Sequence, residues 1–194
     1  MDLLDGKQAT GQASELLAVH AEVYAEPPYR WDDDQQARFA RRFPVLCRQP
    51  GFVLAQARHG EYLVGFAFGL PLRPSTDWWR DLTTPLPAEV TTEYPGRTFA
   101  LTDLVVRAPW RRQRIGETLH DLIMGGRREE RSTAIVMSAA GAAQSAGATW
   151  GWRKIARKQE PGPGSPLFDV FVRPARLALL GGLVGRRASG LPCP

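Results

Sequence analysis

The sequence has little cysteine, almost no lysine and no long apolar run. Its 194 residues include two cysteines, Cys47 and Cys193, which are too far apart for a disulfide framework and lack metal-ligand spacing. No stretch approaches the roughly 20 apolar residues that span a bilayer. Residues 1–11 are polar and acidic, without the basic start and apolar centre of a signal peptide. We therefore expect a cytoplasmic protein with no membrane association and no bound metal.

Several catalytic signatures are also missing. A Walker loop needs Gly-Lys-Ser/Thr and a dinucleotide-binding turn needs Gly-x-Gly-x-x-Gly, and neither pattern occurs. No serine or cysteine stands in a nucleophile motif, and no group of His, Cys, Asp and Glu has metal-ligand spacing. The sequence therefore gives no sign of covalent catalysis or of these two nucleotide folds.

Positive charge is abundant and unevenly placed. The net charge is +5, and all but three of the 25 basic residues are arginine. Residues 107–131 are rich in arginine, whereas residues 1–34 are acidic. A basic segment attracts polyanions, so nucleic acid and a phosphorylated cofactor are both candidates. The arginines cluster on a turn and form neither a recognition helix nor an aromatic platform, and we expect no nucleic-acid partner.

The length fits a single domain, which we place at residues 1–174, followed by a C-terminal tail at 175–194. Apolar periodicity and turn residues predict the elements. The predicted helices are residues 15–24, a helix capped by the aspartates at 32–34, a helix from 115 to about 125 and residues 139–149. The predicted strands are residues 52–58, 62–68, 98–106, 133–137, 152–156 and 167–172, with a long loop at 70–96 that has room for a short helix. This mixture predicts an α/β protein with a mixed sheet and helices on both faces.

The most informative segment is the strand, basic turn and helix at residues 98–126. A helix N-terminus presents unpaired N–H groups and a partial positive charge. A turn that leads directly into such a helix forms a site for phosphate. Because this turn also carries Arg111, Arg112 and Arg114, it suits a pyrophosphate better than the edge of a base.

This segment resembles the acetyl-CoA motif of the GNAT N-acetyltransferase superfamily, which reads Arg/Gln-x-x-Gly-x-Gly/Ala after a strand that ends in valine. Arg111 stands at the first position of the motif and Gly116 at the last, while Arg114 replaces the middle glycine. The paired strands at 52–68 and the Trp-Gly-Trp at 150–152 also resemble this family, and the similarity covers about residues 12–174. It is closest to the actinobacterial type, which has a long Trp-Trp loop before its fourth strand.

The resemblance implies the GNAT acyl-CoA N-acyltransferase fold and acetyl-CoA as co-substrate. The backbone of the strand would pair with the pantetheine arm at Leu104, Val105 and Val106. The turn and the start of the helix would hold the pyrophosphate at Arg111, Arg112, Gln113, Arg114, Ile115, Gly116, Glu117 and Thr118. The strands at 104–106 and 133–137 would separate to admit the thioester. A primary amine of a small molecule or peptide would then attack the acetyl carbonyl directly.

Such a reaction needs a base to take the proton of the amine. Asp103 is the first candidate, because it is a carboxylate in an otherwise apolar strand and alternation places it opposite Leu104. Glu93, from the long loop, is the second. The alternative for each is a structural role, in which the carboxylate caps or hydrogen-bonds a neighbouring segment.

Three aromatic residues are candidates for the acceptor pocket. Trp78 and Trp79 could form its wall, since aromatic faces hold cationic amines, or could anchor the long loop to the core. Tyr29 follows the first predicted helix, where members of the family place residues that contact the acceptor. His20, on the apolar face of that helix, is expected to belong to the core.

The sequence departs from the family at the position of the catalytic acid. Many members have an asparagine after the fifth strand and a tyrosine seven residues later, where this chain has Ala140 and Gly147. Two functions therefore stand side by side: an active N-acetyltransferase, and a GNAT module that binds acyl-CoA without turnover. The tail at 175–194 is expected to be disordered or to form a loose helix against the domain or the second subunit of a homodimer.

Overall fold

One mixed sheet forms the centre of the computed structural model, which describes residues 1–159, 161–162 and 164–175. Seven strands follow the order β1-β2-β3-β4-β5-β7-β6 in these residues. They are β1 (Asp2–Leu4), β2 (Val53–His59), β3 (Tyr62–Pro71), β4 (Thr98–Val106), β5 (Arg131–Met137), β6 (Arg153–Lys158) and β7 (Phe168–Pro174). All neighbouring strands are antiparallel except β4 and β5, which are parallel. The predicted mixed sheet is confirmed.

Helices cover both faces of the sheet, as predicted. Within the described residues they are α1 (Gly6–Gly11), α2 (Ala13–Ala25), α3 (Asp33–Cys47), α4 (Ala88–Thr91), α5 (Ile115–Met124) and α6 (Gly141–Thr149), with a 3-10 turn at Ala108–Trp110. The apolar sides of α2 and α3 pack on one face, around Phe43, Phe66 and Phe68. The apolar side of α5 packs on the other, around Phe99 and Leu119. No helix of the described chain has the length and apolar character needed to cross a membrane.

The start of α3 shows how local sequence sets the helix boundaries. Asp32 accepts a hydrogen bond from the backbone N–H of Gln35 at 2.8 Å, and the Gln35 side chain accepts one from the backbone N–H of Asp32 at 2.9 Å. This reciprocal pair is a capping box, which satisfies two N–H groups at the helix start. The predicted aspartate cap is confirmed.

Strand β1 and helix α1, which precede the first predicted helix, lie outside the predicted pattern. They have three and six residues, too few for a periodic apolar pattern. The short helix expected in the long loop is α4, at Ala88–Thr91. The predicted tail lies outside the described residues from 176 onward, as do residues 160 and 163 of the loop before β7.

Candidate active site

The parallel strands β4 and β5 separate halfway along their length. They pair only from Thr98 opposite Arg131 to Leu101 opposite Ala134. Beyond that point β4 continues to Val106 and remains paired with β3 on its other side. The end of β4 therefore has a free edge toward β5, and the strand separation predicted from the family resemblance is present.

An irregularity in β4 places the Asp103 side chain on the opposite face of the sheet from Leu101. Phe68 of β3 pairs with Asp103 and the next residue, Gly69, pairs with Leu101, so Thr102 has no partner. An extra residue of this kind is a β-bulge, which reverses the alternation of side chains. Leu101 packs on the α5 side of the sheet, whereas Val105 packs on the α2 side. Without the bulge Asp103 would lie on the same side as Leu101.

A cleft of about 950 Å³ opens where the strands separate. It extends from the α2–α3 connection, past the split, to α6. Residues of β4 and β5 that line it include Leu101, Asp103, Leu104, Val105, Val106, Ala134 and Met137. Its other walls include Glu26, Tyr29, Trp31, Arg111, Arg112, Arg114, Gly116, Glu117, Ala140, Gly147, Trp150 and Trp152.

The basic turn leads into α5 with two arginines in the left-handed conformation. Arg112 has φ +60° and Arg114 has φ +62° with ψ 7°. Arg114 is the N-cap residue, and no side chain within the described residues caps the helix. The first N–H groups of α5 thus remain available to an anion. Arg114 adopts the backbone conformation that a glycine would adopt more easily.

The predicted turn residues divide into two groups. Arg111, Arg112, Arg114, Gly116 and Glu117 line the cleft. By contrast, the side chains of Gln113, Ile115 and Thr118 make local contacts: Gln113 Nε2 donates to Pro109 O at 3.2 Å, Thr118 Oγ1 donates to Arg114 O at 3.1 Å, and Ile115 packs on the core. Any contact of these three with a cofactor would therefore come from the backbone.

Asp103 lies at the base of the cleft, at the end next to the α2–α3 connection. Its side chain is buried and its Oδ1 accepts a hydrogen bond from the Tyr24 hydroxyl at 2.9 Å. On the other side, Oδ2 lies 3.2 Å from Nε2 of His20, a residue with no exposed surface. The structure therefore brings the first base candidate to the cleft.

Three aromatic rings surround this end of the cleft. The centroid of the Tyr24 ring lies 4.5 Å from that of Tyr29 and 4.4 Å from that of Trp31. Burial, then the Asp103 charge and Tyr29, raise the pKa of Tyr24 well above its usual value. Burial and Asp103 also raise the pKa of Tyr29, while Arg111 opposes this shift. Both hydroxyls therefore stay protonated near neutral pH, beside a buried carboxylate. The predicted placement of Tyr29 at the cleft agrees with the structure.

Helix α6 presents small side chains to the cleft. Its lining residues are Gly141, Ala142, Ala143, Ser145, Ala146 and Gly147. A Cβ atom at Gly147 would meet only the Cβ of Trp152, at 3.9 Å. Position 147, where the GNAT resemblance expects a tyrosine, therefore accommodates a Cβ atom without a clash.

The structure does not place Glu93 at the cleft. Its side chain is buried beyond the other end of β4, where Oε1 accepts hydrogen bonds from Trp79 Nε1 at 3.0 Å, Thr98 Oγ1 at 2.9 Å and Arg131 Nη2 at 2.9 Å. With its charge compensated by Arg131, this carboxylate fixes the loop to β4 and β5. The candidate role of Glu93 as catalytic base is therefore wrong.

The two tryptophans of the long loop are anchors and not walls of the cleft. Trp78 Nε1 donates to Thr133 Oγ1 at 3.1 Å, and Trp79 Nε1 donates to Glu93. Neither residue lines the cleft. The interpretation as an acceptor pocket is wrong for Trp78 and Trp79, and the alternative, attachment of the loop to the core, holds.

Sequence reasoning missed two residues of this site, Tyr24 and Trp31. The expected core position of His20 is confirmed, since the residue is buried and does not line the cleft. His20 and Tyr24 lie four residues apart on one face of α2, which is the one signal in the sequence that they act together. Their proximity to Asp103 follows from the packing of α2 on β4.

Comparison with known proteins gives matches to solved structures only. The sequence matches no protein-family profile and no curated protein. A ribosomal-protein-alanine N-acetyltransferase from Brucella melitensis is 15% identical, with a TM-score of 0.63 over 90% of this chain and 99% of that one. A GNAT-family acetyltransferase from Staphylococcus aureus is 14% identical, with a TM-score of 0.60 over 90% and 99%. An aminoglycoside 6'-N-acetyltransferase in complex with coenzyme A is 11% identical, with a TM-score of 0.60 over 90% and 97%. At these identities the likeness concerns the fold, and the chain has the fold of the GNAT acetyltransferases.

Proposed function

We propose that this protein is an N-acetyltransferase that moves the acetyl group of acetyl-CoA to a primary amine by direct attack. One observation carries the proposal: the free edge of β4 beyond Leu101 opens into a cleft with an anion site at one end and a buried carboxylate at the other. Acetyl-CoA would supply the activated acetyl group.

The cleft residues fit this co-substrate. On the β5 side, the backbone of Leu104 and the N–H of Val106 can hydrogen-bond an amide-containing arm as a further strand would. The backbone oxygen of Val106 already accepts from Arg111 Nε at 2.9 Å. The start of α5 and the guanidinium groups of Arg112 and Arg114 offer donors and positive charge to a diphosphate. That one GNAT structure of the same fold is a coenzyme A complex supports the choice of ligand class.

The opposite end of the cleft fits a cationic amine. A carboxylate and the faces of Tyr24, Tyr29 and Trp31 attract a primary ammonium group. The ammonium group would first lose one proton to solvent, and Asp103 would take the second proton, which the neutral amine nitrogen releases as the new C–N bond forms. The electron pair of the C–S bond leaves with sulfur, and solvent protonates the thiolate. A small-molecule or peptide amine is the acceptor class that we propose.

A second function is favoured by α6. Because Ala140 and Gly147 provide no proton donor, a module that binds acyl-CoA without turnover uses the same cleft. Titration calorimetry with acetyl-CoA, combined with a thiol-release assay on a panel of amines, separates the two. Binding with release establishes the enzyme, and binding without release on any amine establishes the module. Absence of binding would overturn both.

A further inference from the structure

A buried polar unit lies directly behind the wall of the cleft. His20 Nε2 lies 3.2 Å from Asp103 Oδ2, and His20 Nδ1 lies 3.1 Å from Gln36 Oε1. The Tyr24 hydroxyl donates to the other oxygen of Asp103 at 2.9 Å. The unit thus joins α2, α3 and β4, and only Tyr24 and Asp103 reach the cleft.

The His20 ring is held in place by aromatic stacking on both sides. The Tyr24 ring lies 4.1 Å from it at 12°, and the Phe39 ring lies 3.6 Å from it at 8°. No part of His20 is exposed. A ring fixed in this way contacts neither substrate nor solvent, and it can act on the reaction only through Asp103.

Proton counting places a hydrogen between His20 and Asp103. A carboxylate oxygen only accepts, so a bare Nε2 at 3.2 Å would set two acceptors against each other. If the Gln36 amide oxygen faces Nδ1, both ring nitrogens carry protons. If the amide is turned by 180°, Nδ1 accepts and Nε2 alone carries the proton. With Asp103 ionised, Nε2 is therefore protonated in both arrangements. Its 3.2 Å contact with Oδ2 is electrostatic, because Nε2 has no partner with the geometry of a hydrogen bond.

The titratable groups around His20 can be named element by element. From α2 it faces Tyr24 and from β4 it faces Asp103, whereas α3 contributes Gln36 and Phe39, which do not titrate. The connection between α2 and α3 adds Trp31, with Tyr29 behind Tyr24. Asp103 is therefore the only carboxylate in contact with His20 among the described residues.

We propose that His20 is a positioning residue for proton transfer. Its Nε2–H holds the Asp103 carboxylate in its ionised form and in a fixed orientation, with one lone pair on each oxygen left for the substrate. Asp103 then takes the proton of the attacking amine and later returns it to solvent. This inference rests on the proposed function and adds a residue that does not touch the substrate.

Two substitutions separate this role from packing. His20→Phe keeps an aromatic ring between Tyr24 and Phe39 but removes the donor, whereas His20→Gln keeps an N–H near the position of Nε2. Loss of a donor to a charged group corresponds to about a tenfold effect. We expect His20→Phe to lower kcat about tenfold and to move the acid limb of kcat/KM about one pH unit upward, without changing KM for acetyl-CoA. His20→Gln should recover most of this loss.

The pH profile decides the kinetic part of the proposal. A His20→Phe profile that overlays the wild-type profile would overturn it, as would an equal loss in both variants. With Asp103→Asn as background, His20→Phe should have no additional effect on kcat, because the group through which it acts is gone.

An NMR measurement that does not depend on enzyme activity tests the contact between His20 and Asp103 separately from the proposed function. In the 15N-labelled protein, the ring N–H signals that disappear in His20→Phe belong to His20, and coupling of the nitrogen to both ring C–H protons identifies Nε2–H. We expect this proton signal to move upfield in Asp103→Asn, because the acceptor loses its charge. An unchanged chemical shift of Nε2–H in Asp103→Asn would contradict the proposed interaction between His20 and Asp103. If the wild-type protein binds no acetyl-CoA and acetylates no amine, the proposed function fails while this measurement still tests the pair.

Discussion

Arg111 and Glu26 join the two sides of the cleft. Arg111 Nη1 lies 2.6 Å from Glu26 Oε2, and Arg111 Nε donates to the backbone oxygen of Val106 at 2.9 Å. The first arginine of the turn is thus tied to the C-terminal end of α2, on the acceptor side. A diphosphate on the turn and Glu26 would compete for the same guanidinium group.

Glu26→Gln should therefore strengthen the binding of acetyl-CoA. Partly exposed ion pairs contribute about 0.2–1 kcal/mol, so we expect an increase in affinity of about threefold at low salt, and less at high salt. Calorimetry at two ionic strengths measures this. Glu22→Gln is the matched control, since Glu22 pairs with Arg107 outside the cleft and loses the same charge. An equal increase in the affinity of Glu22→Gln for acetyl-CoA would show a general effect of net charge. It would contradict competition between Glu26 and the diphosphate for Arg111.

Arg114→Gly and Arg114→Ala test the left-handed turn. Both variants lose the guanidinium group, but only alanine keeps the steric cost of φ +62°, which is about 1–2 kcal/mol. The glycine variant should melt a few degrees above the alanine variant and bind acetyl-CoA more tightly. Differential scanning calorimetry and titration measure the two quantities. Equal melting temperatures would mean that residue 114 is not left-handed in solution.

The larger elements could be predicted because their signals are local. The strand at Thr98–Val106 has the predicted bounds, and its apolar run needs no tertiary information. The cap of α3 is likewise contained in four consecutive residues, from Asp32 to Gln35. By contrast, β1 forms only because Leu3 and its neighbours pair with β2, and a three-residue strand carries no period of its own.

Placement of the site residues depended on contacts between distant parts of the chain. Asp103 could be assigned because it is a carboxylate in an otherwise apolar strand that leads directly into the basic turn. The sequence could not locate Glu93, because its ion pair with Arg131 of β5 holds it away from the cleft. The β-bulge at Thr102, which decides the side on which Asp103 lies, has no sequence signature apart from two polar residues in an apolar strand.

Gly147→Tyr should place an acid at the position where the GNAT resemblance expects a tyrosine. The site has room, since a Cβ there would meet only Trp152 at 3.9 Å, and any residue other than proline improves on glycine inside a helix. We expect about a tenfold rise in kcat in the thiol-release assay, within the range of general acid catalysis. Gly147→Phe is the control, because it adds the ring and the helix propensity without the hydroxyl. Equal rates for both variants would exclude acid catalysis at this position.

Glu93→Gln and Asp103→Asn should separate stability from activity. The Glu93 side chain is fully buried and pairs with Arg131 at 2.9 Å, so its neutralisation leaves a partly buried cation without its partner and should cost about 3 kcal/mol. The kcat/KM of the Glu93→Gln variant should stay near the wild-type value at temperatures below its melting transition. Asp103→Asn should lower kcat about a hundredfold with a smaller change in melting temperature. Loss of activity in Glu93→Gln at a temperature where it remains folded would return Glu93 to the list of catalytic candidates.

The stability of the protein should fall in mild acid because of His120. This ring is buried between Trp150 and Trp152, and its Nε2 accepts a hydrogen bond from Trp152 Nε1 at 3.1 Å. Burial lowers the pKa of His120 from its ordinary value, although Asp121 acts in the opposite direction. As the pH falls below about 6.5, the unfolded chain therefore takes up a proton that the folded ring resists, and the free energy of unfolding decreases.

His120→Gln isolates this contribution. Glutamine can accept from Trp152 and donate to Asp121 but does not titrate. The melting temperature of the wild type should fall more than that of the variant between about pH 7.5 and about pH 5.5. The other two histidines are present in both proteins, so their titration cancels in the difference. Parallel melting curves across this range would mean that His120 is charged in the folded state, in which case Trp152 could not donate to it.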